Sequence, residues 1–299
     1  MEPFTIYDSA YQTPLRIVVL GIGNSGKNIV DYMHKKEILG IKFIIINFYK
    51  QDLYNDLNDL FSDTDIVYIT LGLGRETGTR SAQAIGKIAK DAGALTIGVV
   101  TKPFSFEGRK RRNLANEGLI ALKPNCDSVV VLPCDKLLEI IDPKITIKES
   151  FKIVDSIVSE VIFGISGVLL PGGDNDINLD ILDLRTILSQ KGIATVGLGE
   201  FRGQNAAQEA IKIAYEFAMI DNIAIKNASA VLVHFNMHPE FHFIQLSAAM
   251  DFVHNNINES ADIIFGTTTD ANLPLDLIRV IIVATGFEKK TMQAVNNVF

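Results

Sequence analysis

Five short runs rich in Val, Ile and Leu follow one another in the first half of the chain: LRIVVL from Leu15, FIIIN from Phe43, DIVYIT from Asp65, ALTIGVV from Ala94 and SVVVLP from Ser128. Strands that are apolar at nearly every position bury both faces, and parallel strands need a connection of helix length between them. Segments of helical period fill those intervals, near 26–39, 79–92, 107–122 and 135–141. The pattern predicts an α/β fold, a doubly wound and mostly parallel sheet covered by helices. One interval is short: Phe48 to Thr64 leaves room for a single small helix and no elaborate loop.

The apolar positions Phe151, Val154, Ile157, Val158, Val161 and Ile162 recur at helical spacing and predict one long central helix over 147–170. It ends at PGGDND, a strong turn signal. Strands are expected again near 194–199, 230–235, 262–267 and 277–284, giving a second, smaller α/β domain. The expected organisation is a first α/β domain over 1–146, the helix over 147–170 and a C-terminal domain over 171–299. At 299 residues, 47% apolar and 21% charged, the chain falls among ordinary folded proteins and outside disordered or disulfide-framework classes. Its net charge of −7 disfavours a general affinity for nucleic acid or an anionic membrane. The start, MEPFTIYDSAYQTP, has neither a basic head nor an apolar run and reads as a short arm. A cytoplasmic protein is expected, and Cys126 and Cys134 read as buried thiols without a chemical role.

The first strand runs into Gly21-Ile22-Gly23-Asn24-Ser25-Gly26-Lys27-Asn28 and then a helix. Glycines there permit a tight turn and close backbone approach, and a helix N-terminus offers partial positive charge, so the loop suits a phosphate. As a dinucleotide fingerprint it lacks the acidic residue at the end of the next strand, where Asn47-Phe48 stands. As a P-loop it has Asn28 in place of the magnesium-ligating hydroxyl. A second loop, Gly72-Leu73-Gly74-Arg75-Glu76-Thr77-Gly78-Thr79, follows the third strand and again opens a helix. Two such loops at one edge of a parallel sheet suit a polyphosphate held between them. Further on, Glu107 and Arg111 are four apart at a helix start, either a carboxylate and guanidinium for sugar or phosphate oxygens or a solvated ion pair.

Three segments carry a family resemblance: DIVYITLGLGRETGT, the stretch IAKDAGALTIGVVTKPFSFEGRKRRNLANEGLIAL, and DSVVVLPCDKLLEI. Together they resemble the GTPase domain of the tubulin/FtsZ superfamily, on its FtsZ branch. The likeness extends to DINLDILDLRTILSQKGIATVGLG and VIIVATGF, nearly the whole chain. The resemblance implies GTP or GDP as ligand, with Mg2+ as an optional companion. Phosphates would lie on Gly21, Gly23, Asn24, Ser25, Gly26 and Asn28 and on Gly72, Gly74, Arg75, Thr77, Gly78 and Thr79. Glu107 and Arg111 would take the ribose, Phe151 would stack on guanine, and Asp155 would accept from its N1 and N2 donors. Asn178, Asp180 and Asp183 match a catalytic loop that, in a head-to-tail filament, enters the pocket of the next subunit and polarises the attacking water. The implied partners are further copies of the chain and, as an option, another FtsZ-type filament protein, with no nucleic acid and no direct membrane contact. Asp183 before LRTIL also reads as a helix N-cap.

Several positions depart from that family pattern. Arg75, Glu76 and Arg80 stand where glycines usually flank Thr-Gly-Thr; Arg75 or Arg80 would meet a phosphate charge directly, and Glu76 would repel it unless paired. Cys134 replaces an asparagine that usually touches the nucleoside, and the short 48–64 interval leaves out the loop that closes over the γ-phosphate. No tail linker or membrane-recruiting peptide is expected after the last strand. Weak hydrolysis, or none in a nucleotide-bound or nucleotide-independent structural protein, is the expected consequence. His234, His238 and His242 recur every fourth residue, but Pro239 interrupts any helix that would align them for a metal.

Overall fold

The computed structural model describes residues 4–7, 15–36, 40–47, 53–136, 144–170, 176–190, 192–218 and 225–287. The chain divides into two compact units, Met1–Ile162 and Phe163–Phe299, and the division falls inside a long helix.

In the first unit the elements run β1 (Phe4–Tyr7), β2 (Ile17–Ile22), α1 (Gly23–Lys35), β3 (Ile41–Ile46), α2 (Tyr54–Ser62), β4 (Ile66–Gly72), α3 (Glu76–Asp91), β5 (Leu95–Lys102), α4 (Arg109–Leu122) and β6 (Ser128–Pro133). Their spatial order is β1-β3-β2-β4-β5-β6. All neighbours are parallel except β1 and β3. Every residue of β2 and β5 is buried, as expected for strands covered on both faces. Because β2 has β3 on one side and β4 on the other, the winding direction reverses beside β2. The carboxyl ends of β2 and β4, with Gly21 opposite Thr70, therefore border the crevice where a doubly wound sheet binds ligands.

Several boundaries differ from the sequence expectation. The N-terminal segment expected to be an arm contributes β1, which pairs antiparallel with β3 from Phe4 opposite Ile46 to Tyr7 opposite Phe43. A strand of four residues has little signature of its own, and it forms because the outer edge of β3 offers unpaired backbone groups. The first helix begins at Gly23 and takes in the glycine loop. The helix expected from Glu107 starts at Arg109; Ser105–Glu107 form a 3-10 turn, and Gly108 at φ +97° separates the two. Most of the expected 135–141 helix and of the PGGDND turn lies outside the described residues.

The long helix α5 covers Ile147–Gly167. After it come α6 (Ile181–Leu188), β7 (Gly192–Arg202), α7 (Ala206–Ala218), β8 (Ala230–Met237), α8 (Phe243–Asn256), β9 (Asp262–Thr269) and β10 (Leu277–Thr285). The second unit orders its strands β7-β10-β8-β9, with β10 antiparallel to both neighbours and β8 parallel to β9. Ala206, Ala207, Ala210, Ile211, Ala214 and Ala218 form the buried stripe of α7. The chain thus has the expected fold class, a doubly wound sheet, a long helix and a second α/β domain.

Candidate functional site

The first unit holds a cleft of about 430 Å³ at the carboxyl edge of its sheet. Four separate segments meet on its lining: Gly23, Asn24, Ser25 and Asn28 from the start of α1; Gly72, Arg75 and Gly78 around the start of α3; Glu107 and Arg111; and Phe151 and Asp155 on α5. Spacing alone put these residues on four different stretches, and the sheet brings them together. The two glycine loops touch, since a Cβ on Gly72 would stand 3.0 Å from Ser25 Oγ.

Both helices that open onto the cleft lack a side-chain cap among the described residues. Ile22 caps α1 and Arg75 caps α3, each in extended conformation and with no side chain accepting from the first turn. The first amides of a helix have no intrahelical partner, and an anion is a natural acceptor for them. No acidic residue occupies the first turn of α1, whereas Glu76 occupies that of α3. Glu76 is paired with Arg80 on the exposed side of the helix, which offsets its repulsion, and the cleft lining includes Arg75 but not Arg80. Arg75 is exposed and borders the cleft.

Glu107 and Arg111 form an ion pair across the helix start, with the Glu107 side chain only 11% exposed. They face each other because the 3-10 turn brings Glu107 back toward α4; its Oε1 also accepts the Phe104 N–H at 2.9 Å. The Glu107 end of this pair is shielded, while the Arg111 side chain is 37% exposed. Arg111 Nε is buried without a hydrogen-bond partner in the protein, a donor held in reserve at the cleft wall. Phe151 meets Phe104 edge to face at 5.6 Å, and Phe104 stacks on Phe106 at 5.0 Å, which makes an aromatic shelf. Burial pushes the Asp155 carboxyl up to about 6.

Of the other expected site residues, Gly21 and Gly26 pack against one another beneath the loop; a Cβ on Gly21 would stand 2.3 Å from the Gly26 carbonyl oxygen. Gly74 packs on Arg111, and the Thr79 hydroxyl donates to the Arg75 carbonyl at 3.0 Å. The Thr77 side chain lies outside the described residues. Thr101, Lys102 and Pro103 also line the cleft, and their position at the carboxyl end of β5 was the available signal. Asn47 and Cys134 complete that side. Burial, and then the neighbouring Glu107 charge, push the Cys134 thiol up to about 12, and burial does the same for Cys126; both stay protonated and inert.

Asn178, Asp180 and Asp183 belong to the second unit, where all three are exposed. The helix cap there is Asp180 and not Asp183, because α6 starts at Ile181, earlier than the LRTIL pattern indicated. Asp180 Oδ1 accepts from Leu182 N at 2.7 Å and Asp183 N at 2.8 Å, while Asp183 Oδ2 accepts the Asp180 N–H at 3.4 Å. This is a reciprocal capping box. The three histidines are dispersed in role: His234 is buried against Thr268, His238 accepts the Glu240 N–H, and His242 precedes α8 as its cap. No group of three or more His, Cys, Asp or Glu suited to a metal occurs among the described residues.

A doubly wound sheet whose paired glycine loops, ion pair and aromatic shelf converge on one carboxyl-edge cleft defines a nucleotide-type α/β protein. Two family models match it: the tubulin/FtsZ family GTPase domain over residues 47–142 and the FtsZ family C-terminal domain over 192–288. The cell division protein FtsZ of Helicobacter pylori is 37% identical over 237 residues, 79% of this chain and 61% of that protein. The aligned region thus spans about three fifths of that relative's length. An FtsZ of M. jannaschii, solved as an empty dimer, superposes with a TM-score of 0.84 at 30% identity, covering 92% of this chain and 89% of that one. A CetZ2 of Haloferax volcanii shares the fold, with a TM-score of 0.69 at 14% identity, 95% of this chain and 99% of that one. The chain belongs to the tubulin/FtsZ family, on its FtsZ branch.

Proposed function

We propose that the chain binds GTP or GDP in the first-unit cleft, associates head to tail with its own copies into filaments, and hydrolyses GTP slowly across each junction. The observation that carries this is the convergence of both uncapped helix starts, the Glu107–Arg111 pair and the Phe151–Asp155 pair on one lining. Gly78 adds a fit between cleft and ligand. A Cβ there would meet only Leu71 Cδ1 at 3.8 Å, so no packing within the protein requires glycine at this helical position. A ligand that approaches the helix closely would require it.

In this reading the amides of α1 and α3 take phosphate oxygens, with the Arg75 guanidinium as an added cation. Glu107 accepts from ribose hydroxyls while Arg111 Nε supplies the donor the protein leaves unused. Phe151 stacks on the base, and ionised Asp155 accepts from guanine N1 and N2; adenine presents an acceptor at N1 and is rejected. The exposed carboxylates of Asp180 and Asp183, offered by a neighbouring copy with Asn178, orient the attacking water and accept its proton. Mg2+ would arrive with the nucleotide, as a counter-ion to its phosphates. A cytoplasmic setting suits the two free thiols, Cys126 and Cys134.

Titration with GTP and ATP, together with assay of guanine nucleotide in the purified protein, tests the binding half. Phosphate release across a dilution series tests the junction half, since turnover shared between subunits must fall as filaments dissociate. A second reading keeps bound nucleotide and filaments without turnover. The capping box favours it, because Asp180 Oδ1 already accepts two backbone donors and is that much less free to act on water.

A further inference from the structure

Three consecutive threonines at the end of β9 tie the segment after α5 in place, and a buried histidine stands behind the middle one. Thr267 N donates to Ile177 O at 3.0 Å, and Thr267 Oγ1 accepts from Ile177 N at 2.8 Å. Thr269 N donates to Asp176 Oδ2 at 3.2 Å. Thr268 instead turns to the helix: its hydroxyl donates to the carbonyl of Gly167, the last residue of α5, at 3.3 Å. One residue on, the Val168 carbonyl accepts the Leu179 N–H at 2.7 Å. These bonds fix the backbone on both sides of 171–175 and lead directly into Asn178 and the Asp180 cap.

His234 on β8 is 1% exposed, and its Nε2 lies 2.9 Å from Thr268 Oγ1. A carbonyl only accepts, so the single threonine proton goes to Gly167, and the contact with His234 is made by an Nε2–H donor. Nδ1 is then the bare acceptor, and it is buried with no partner. The ring fits against Gly167, where a Cβ would stand 3.1 Å from Cε1 and Nε2, and Phe163 meets it edge on. Burial holds His234 down to about 4, so the imidazole stays neutral at physiological pH and keeps this arrangement.

We propose that His234, acting through the Thr268 hydroxyl, is a positioning residue for the Asn178–Asp183 loop. Its Nε2–H orients the hydroxyl toward the end of α5, and Thr268 thereby sets where the helix stops and the acidic loop begins. The proposal rests on the reading that this loop serves hydrolysis in a neighbouring copy, but the geometry it claims is measurable without turnover.

The test uses the full chain with Thr268→Val, which removes the hydroxyl at nearly constant shape, and Thr268→Ser, which keeps it. His234→Leu and His234→Gln form a second pair, the glutamine amide replacing the Nε2–H donor. Amide hydrogen exchange over 177–183 is expected to rise about tenfold in Thr268→Val and His234→Leu and to return toward wild type in Thr268→Ser and His234→Gln. At saturating GTP, kcat for phosphate release should fall about tenfold in the first of each pair, with nucleotide Kd within about twofold of wild type. Nitrogen NMR of the imidazole should report the Nε2–H tautomer. Unchanged exchange in Thr268→Val, or an Nδ1–H tautomer, overturns the proposal. Faster loop exchange in a chain whose wild type never turns over GTP supports the positioning and defeats the hydrolysis reading instead.

Discussion

Gly74 and Arg111 compete for one space: a Cβ on Gly74 would stand 2.7 Å from Arg111 Cγ and 2.8 Å from its carbonyl oxygen. Gly74 also sits at φ +96°, in the left-handed region. The second loop is therefore seated on the arginine that Glu107 holds, so the loop proposed for phosphate and the pair proposed for the sugar are positioned together. Gly74→Ala should cost about 1 to 2 kcal/mol in backbone strain alone and push the Arg111 stem aside. Lower melting temperature and GTP affinity weaker by about tenfold are the expected outcomes. Wild-type affinity by titration would mean that loop and arginine are not coupled.

The contrasting substitution is Gly78→Ala. Space is open at Gly78, and alanine is the better helix former by about 0.5 to 1 kcal/mol. The nucleotide-free protein should therefore melt higher, while GTP binds more weakly because the methyl enters the cleft. A stabilised variant with undiminished affinity would show that the ligand keeps away from this turn of α3.

Asp155 should select guanine. Asp155→Ala leaves the guanine edge unpaired and should cost about 1 to 3 kcal/mol of GTP affinity while changing ATP little. The pH dependence has a definite sign. In the free protein the carboxyl titrates near 6, and guanine requires the ionised form, so affinity is flat above that value and falls as pH drops through it. Stability of the free protein runs the opposite way: the raised carboxyl contributes most below the ordinary carboxylate range, and that contribution is lost as pH rises through about 6. Calorimetric titration between about pH 7.5 and about pH 5 checks the first, and a flat profile would remove Asp155 from the base contact.

The capping box separates two roles of one carboxylate. Asp180→Ala removes the cap and should destabilise the chain by about 1 kcal/mol, whereas Asp180→Asn keeps a capping oxygen. If the carboxylate serves hydrolysis, both variants lose turnover and both retain nucleotide binding. If Asp180 is only a cap, the asparagine variant turns over as wild type does, and Asp183→Asn then becomes the informative substitution.

The sheet of the first unit was legible because the strands from β2 to β6 are apolar at nearly every position, a pattern that burial on both faces explains. The two glycine loops were legible for a similar reason, since a glycine cluster directly between strand and helix has few other uses. Glu107 and Arg111 were found by helical spacing although Gly108 interrupts the helix between them; the 3-10 turn happens to bring them together as well. Relations that depend on a partner remote in sequence left no pattern. The pairing of β1 needs the edge of β3, the contact of Phe104 with Phe151 needs the turn after β5 to meet α5, and the link from His234 through Thr268 to Gly167 joins three elements.

The remaining prediction concerns how assembly responds to nucleotide state. Between β3 and β4, α2 takes up Tyr54–Ser62, which leaves little chain for a loop that would cover the cleft. A ligand shifts a conformational equilibrium only through contacts that differ between the two states. With few groups available to distinguish GTP from GDP, filaments should persist similarly in either nucleotide. Turnover should be slow, because fewer preorganised donors surround the developing charge. Arg75 is the residue placed to compensate: it borders the cleft, while Glu76 and Arg80 pair with each other. Arg75→Ala should weaken GTP binding more than GDP binding, each measured by titration, since the guanidinium acts on the added phosphate charge. Sedimentation in each nucleotide, run beside phosphate release, checks the rest. Brisk hydrolysis followed by rapid disassembly once GTP is consumed would show that a different segment senses the terminal phosphate, and equal loss of GTP and GDP affinity in Arg75→Ala would assign that arginine to the inner phosphates.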